Sequence, residues 1–349
     1  MFSFSPMTCS STQRLFAALQ GRPTDSVPVL PLLAGWSARH SSDDRIIATA
    51  NPSERIVAVQ IRAWEELGHD GLFGYLDPLY IPEAFGCRVR MTGTGPLAEP
   101  LTASPPDTAQ AVNALPLPDP RRSARLPVIL DAVRALADFS GGQVPVIGLF
   151  EGPFTTAGRL FETARLLRLI HRNPPVLSRI LDRITDFLLA FGQALAENGA
   201  QVLLIPEPTA SASLISPRMF AEWVLPRLQR ITGSVPLPCI LHICGDTSPL
   251  LPSMAASGAR VLSLDQCLDL RESRKSTPQV ALGGNVDPVN ALWLGSVETV
   301  RQDVFRCLDD AGAEQFVLMS GCSIPPQAPL ENLRAMIRTA REYGLGRGN

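Results

Sequence analysis

Eight short apolar runs punctuate this 349-residue chain, at 27–33, 71–77, 145–151, 202–207, 238–245, 260–265, 280–287 and 316–322. Each is too short for a stable helix and rich enough in Val, Ile and Leu for a buried strand. Helical periodicity fills most of the intervals, as at 12–19, 53–67 with Ser53 as its possible cap, 121–139, 154–198 with a break at Asn173-Pro174-Pro175, 216–233, 248–257, 296–312 and 330–344. Strands that alternate with helices pair in parallel, because each connection must cross back over the sheet. Eight such repeats predict an α/β fold of the (β/α)8 TIM-barrel type, as one domain over 1–349. A doubly wound open sheet is the competitor, but no Gly-x-Gly-x-x-Gly follows the first run. The stretch 87–117 breaks the rhythm. It is short-period and rich in Thr, Gly and Pro, and is expected to be a β-hairpin insertion after the second strand. Hydrophobic residues make up 45% of the chain, enough for one large core.

Polar residues cluster at one end of these runs. Asp77, Glu151, Glu207, His242, Cys244, Asp265, Asn285, Asp287 and Cys322 all lie at or just past the C-terminal end of a predicted strand. An acid at one strand end ordinarily caps a helix or closes a turn. In a barrel, however, all these ends share one mouth, where active sites sit.

His242 and Cys244 are two residues apart, so both side chains face the same way in an extended strand. Cys322 ends the eighth run. One imidazole and two thiols from two strand ends form a three-donor set suited to zinc, with a fourth position open for substrate. The competing reading is that buried cysteines simply fill a core. Glu207, on the neighbouring strand, could occupy the open position at rest, or could hydrogen-bond the backbone of the mouth. Asp265 suits a role in orienting a ligand or the substrate.

The remaining composition excludes other classes. Formal net charge is −2 and no basic stripe suggests nucleic acid. No apolar run reaches the ~18 residues of a membrane span. Seven scattered cysteines do not form a disulfide framework, and the first residues lack the pattern of a secretion signal. A reduced, cytoplasmic protein is expected. His40 and His69 are read as solvated loop residues, and His171 with Arg165, Arg168 and Arg172 as a wet helix face. Cys9, Cys87, Cys239 and Cys307 are read as structural, while Cys267 could approach the mouth.

Several stretches together resemble the uroporphyrinogen decarboxylase superfamily, and within it the zinc-dependent methylcobamide:thiol methyltransferases. They are Asp70-Gly71 with Asp77, Glu151-Gly152-Pro153-Phe154-Thr155, Glu207-Pro208-Thr209-Ala210-Ser211, His242-Ile243-Cys244-Gly245, Gly284-Asn285-Val286-Asp287-Pro288 and Ser320-Gly321-Cys322-Ser323. The resemblance covers most of the chain from about residue 70. It implies a barrel, with His242, Cys244 and Cys322 as ligands of Zn2+ and a corrinoid (methylcobamide) as methyl donor or acceptor. Glu207, Asp77 and Asp265 are then the expected catalytic residues, and Asn285, Asp287 and Glu151 the expected cofactor-binding ones. The corrinoid would arrive free or on a separate corrinoid protein, and a small thiol or related molecule would complete the exchange.

By position, Asp77 matches the catalytic aspartate of the metal-free decarboxylase branch. That branch also carries an Arg-Gln-Ala-Gly-Arg stretch that grips propionates. Residues 33–40 here read Leu33-Ala34-Gly35-Trp36-Ser37-Ala38-Arg39-His40, with only Arg39 in reach. A metal-free lyase using Asp77 and a non-catalytic corrinoid-binding or tetrapyrrole-binding protein are the alternatives.

Overall fold

The structure, a computed structural model, describes residues 9–37, 52–75, 77–92, 95–102 and 104–345. Arg39 and His40 lie outside the described residues. Seven strands form one parallel sheet: β1 (Leu72–Phe73), β4 (Val146–Leu149), β5 (Val202–Pro206), β6 (Cys239–Ile243), β7 (Val261–Leu264), β8 (Ala281–Val286) and β9 (Phe316–Ser320), in that order across the sheet. Nearly every residue in them is buried, as expected for a parallel sheet covered on both faces. Helices cross between the strands. Those that matter below are α1 (Ser11–Leu19), α2 (Pro52–Leu67), α3 (Leu126–Ser140), α4 (Pro153–Phe161), α5 (Thr163–Arg172), α6 (Pro174–Glu197), α7 (Leu225–Ser234), α8 (Leu270–Ser276), α9 (Val297–Ala311) and α10 (Leu330–Leu345).

The sequence suggests eight strands; the sheet holds seven. The first apolar run makes a single parallel bridge, Val29 to Leu318, instead of a strand. Pro28 and Pro31 remove two ladder donors from it, and a segment so interrupted cannot pair continuously. It nevertheless joins the two edges of the sheet. Leu30 N donates to Leu318 O and Leu318 N to Pro28 O, while Asp70 N, just before β1, donates to Val29 O, at 2.8–2.9 Å. The second run shortens to Leu72–Phe73 between two close approaches. A Cβ on Gly71 would stand 2.4 Å from Leu30 Cδ1, and one on Gly74 2.3 Å from Val133 Cγ2. Between β1 and β4, β2 (Val89–Thr92) and β3 (Gly95–Ala98) pair antiparallel as a separate two-stranded sheet.

Helix boundaries shift for local reasons. Ser53 does not cap α2 but lies in its first turn, behind Pro52, whose fixed φ suits a helix start. The expected helix at 121–139 begins only at Leu126. The expected 154–198 helical stretch breaks at Asn173-Pro174 as its prolines imply, and a second time at Glu162, at positive φ, giving α4, α5 and α6. The short α8 had no expectation; Asp269 caps it by accepting from Glu272 N.

His69 is not solvated but fully buried, and burial lowers its pKa to about 4, so the imidazole is neutral at physiological pH. The adjacent Asp70 is the electrostatic anchor of the strand starts. Its buried carboxylate accepts from Ser11 Oγ (2.7 Å), Arg14 Nη1 (2.6 Å), Val29 N (2.8 Å) and Arg341 Nη2 (2.7 Å). It thereby ties α1, the 27–33 segment and α10 to the chain entering β1. Asp70→Ala leaves two guanidinium groups short of a partner, and should cost about 3 kcal/mol or more. Urea denaturation followed by circular dichroism checks this; an unchanged midpoint would show the network to be dispensable.

Candidate metal centre

His242 is the fourth residue of β6, and Cys244 follows the strand by one residue. Cys322 lies two residues past β9. β7 and β8 stand between these two strands, so only the curl of the sheet can bring the three side chains together. His242 Nε2 is 3.2 Å from Cys244 Sγ, which is 3.3 Å from Cys322 Sγ. All three donor atoms lie within 4.8 Å of one another.

The two thiols behave as a pair. A hydrogen bond from Cys244 holds the Cys322 thiol below its usual range. The same bond, together with burial, pushes Cys244 far up. The contact thus favours the thiolate on Cys322 and the thiol on Cys244. The His242 ring is 4% exposed, and its other nitrogen, Nδ1, faces Ser263 Oγ at 3.1 Å and Ser263 O at 3.3 Å.

Beside these donors lies a cavity of about 220 Å³. Leu32, Tyr75, Leu149 and Leu204 give it apolar walls, and Glu151 and Arg159 are its charged members. The buried Glu151 carboxylate receives Arg159 Nε (3.0 Å) and Nη2 (2.8 Å), while the guanidinium stays about half exposed. This bidentate pair raises the arginine pKa further.

Glu207 is not part of the donor cluster. Its two oxygens accept from Phe154 N (2.9 Å) and Thr155 N (2.8 Å), the first amides of α4. Burial pushes its pKa up to about 7 even so, against the pull of these donors and of the Thr155 side chain. Gly152 is required for this contact, because a Cβ there would meet the carboxyl carbon at 2.5 Å. Asp265 is also committed to backbone: Oδ2 accepts from Gly245 N (2.8 Å) and Oδ1 from Cys267 N (3.1 Å).

The other expected site residues stand apart from the cavity lining. Asp77 is held by Arg125, at 2.7 and 3.3 Å, and accepts from Leu79 N. Asn285 donates to Asp265 O and Leu268 O at 2.9 and 2.8 Å, and its oxygen accepts from Arg306. Asp287 closes the turn after β8 by accepting from Val289 N and Asn290 N. Cys267 is exposed.

Residues 10–343 match the sequence profile of the uroporphyrinogen decarboxylase family. The chain belongs to that family. It is similar to a methylcobamide:CoM methyltransferase, MtaA, of Methanosarcina barkeri, with 31% identity over 344 residues, 95% of this chain and 97% of the relative. A uroporphyrinogen decarboxylase of Syntrophotalea carbinolica is 30% identical over 338 residues, 92% of this chain and 94% of that one. Among solved structures, a methyltransferase from Methanosarcina mazei superposes with a TM-score of 0.86 at 28% identity, covering 96% of this chain and 99% of the other.

In this family member, sequence reasoning missed three residues at the site: Ser263, Arg159 and Tyr75. Ser263 had a signal, as the one polar residue inside the 261–264 stretch, in register with His242. Arg159 and Tyr75 had none, since only folding turns them toward the cavity.

In metal-free protein, alkylation of Cys322 by iodoacetamide should fall off at a lower pH than for an ordinary thiol. Cys244→Ala removes the sulfur donor and should move the fall-off upward. Mass spectrometry of the labelled peptide reads both, and identical profiles would show that the thiols do not interact.

Proposed function

We propose that this methyltransferase moves a methyl group between a corrinoid and a small thiol or related acceptor, using a zinc ion held by His242, Cys244 and Cys322. The observation that carries the reading is the convergence of one nitrogen and two sulfurs beside a small cavity at the strand ends. Nitrogen and thiolate donors are the set zinc prefers. Bonds of ~2.0–2.3 Å in a tetrahedron separate donors by about 3.5–3.8 Å. The observed 3.2 and 3.3 Å need only a few tenths of expansion to match. When bound, the ion supplies an open position at which a thiol loses its proton and stays nucleophilic near neutral pH.

The chain's own residues do the rest. Cys322 and Cys244 bring the negative charge, and their contact at 3.3 Å favours the thiolate form of Cys322. The apolar walls exclude water from the reacting sulfur. The Glu151–Arg159 pair faces the cavity and is placed to orient the small substrate. Glu207 holds the start of α4, which carries Arg159, and Asp265 holds the turn after Cys244. A cavity of about 220 Å³ is far smaller than a corrinoid. The corrinoid, free or on a separate protein, therefore meets the site from outside the mouth, where Asn285 and Asp287 shape the neighbouring turns. We read the seven strands and the 27–33 segment together as a closed (β/α)8 barrel, with the 89–98 pair as its hairpin insertion. Free cysteines throughout the chain fit a reducing, cytoplasmic setting. The engagement of Asp77 by Arg125, away from the cavity, favours the metal reading over decarboxylation.

Protein purified without chelator should contain about one zinc per chain, and Cys322→Ser should lose it together with thiol-dependent demethylation of methylcobalamin. Elemental analysis and the cobalamin spectrum read the two outcomes. No zinc in the wild type after reconstitution would end this reading and turn attention to Asp77→Asn and decarboxylation. Zinc retention should also fall as the pH drops, because the imidazole and both thiols must be deprotonated to bind it. Retention unchanged into strong acid would place the metal elsewhere.

A further inference from the structure

β6 and β7 pair in parallel with His242 opposite Ser263. Continuing that register by two residues sets Cys244 opposite Asp265. The polar pair on β7 thus has the same spacing as the donor pair on β6, and the side chains on this face repeat every second residue. Ser263 is fully buried in an otherwise apolar strand, which is costly for a hydroxyl unless it has a partner. Its partner is the imidazole of His242.

We propose that β7 is a positioning strand for the metal site: Ser263 fixes the tautomer and ring orientation of His242, and Asp265 fixes the turn that follows Cys244. The inference rests on the zinc reading for its ligand but not for its geometry. The argument for Ser263 is one of donors and acceptors. Nδ1 faces both Ser263 Oγ and the Ser263 carbonyl, and a carbonyl only accepts. Donation to that carbonyl puts the proton on Nδ1 and leaves the lone pair on Nε2, the nitrogen that points at Cys244. A histidine in this state is ready to bind a cation without first shifting its proton.

Asp265 acts on the second donor through the backbone. Gly245 adopts φ +80°, a left-handed turn, and its N–H donates to Asp265 Oδ2 at 2.8 Å. This turn directs the chain away immediately after Cys244 and holds that thiol beside Cys322. Asp265 is itself braced from the next strand, since Asn285 Nδ2 donates to its carbonyl at 2.9 Å. Asn285, expected from sequence to meet the cofactor, thus stands one strand further out in the same support.

Two measurements on the full chain test this. Competition with a fluorescent chelator gives zinc affinity for wild type, Ser263→Ala, Ser263→Thr and Asp265→Asn, with urea midpoints as the check on folding. Ser263→Ala should bind zinc about 10–100-fold more weakly, Ser263→Thr should recover most of the loss, and Asp265→Asn should weaken binding as well. Equal affinity for wild type and a folded Ser263→Ala would overturn the proposal. The second measurement needs no metal. Nitrogen-15 NMR of the imidazole in metal-free wild type should show the proton on Nδ1, and Ser263→Ala, which keeps the accepting carbonyl, should leave it there. A proton on Nε2 in the wild type would overturn the inference even if zinc binds. If the wild type binds no zinc, the functional reading fails while the tautomer result still decides this one.

Discussion

Cys244 and Cys322 stand 3.3 Å apart, although 78 residues and two intervening strands separate them. That contact depends on the curvature of the parallel sheet. Strands twist with one hand, so a sheet of this length, covered by helices, curls on itself and aims its strand ends inward. The 27–33 segment completes the ring of hydrogen bonds in spite of its prolines. Asp70, with its two arginines, holds that segment to α1 and α10. A flat sheet with the same register would leave the two thiols several strand spacings apart.

The acids at the strand ends divide into two kinds by what they touch. Glu207, Asp265 and Asp287 accept from backbone amides and shape the turns that follow their strands. Glu151 instead faces the cavity and holds an arginine that solvent still reaches. Burying a carboxylate is costly unless donors meet it, and each of these carboxylates has at least two. The mouth is thus assembled by charge–amide contacts, and the reactive groups are placed inside the frame they make. Zinc, where held, would add a dication beside these two sulfurs.

Much of this was legible in the chain. The eight-fold alternation of apolar runs and helices implied parallel pairing, because each run lies between long crossovers. The His-x-Cys spacing placed two donors on one face, and the location of polar residues at the ends of the runs pointed to a shared mouth. The expectation of eight strands erred at the first run, where two prolines cost the ladder its donors. The expectation of a solvated His69 erred because a neighbour in sequence to a helix end need not be near the surface. Asn285 and Asp287 carried polar side chains at the right places, but their hydrogen bonds are spent on neighbouring loops and turns.

The sequence by itself determined the class of fold and singled out the three side chains, His242, Cys244 and Cys322, that converge, since both depend on local periodicity and on residue chemistry. Tertiary structure alone decided which polar side chains meet the donors. Whether Glu207 faces the three donor side chains or an amide depends on where α4 begins, and Gly152 lets the two approach. Whether Ser263 is filler or partner depends on the register between β6 and β7. Such contacts join residues far apart in the chain, and their distances follow from sheet curvature and strand register, which no local pattern encodes.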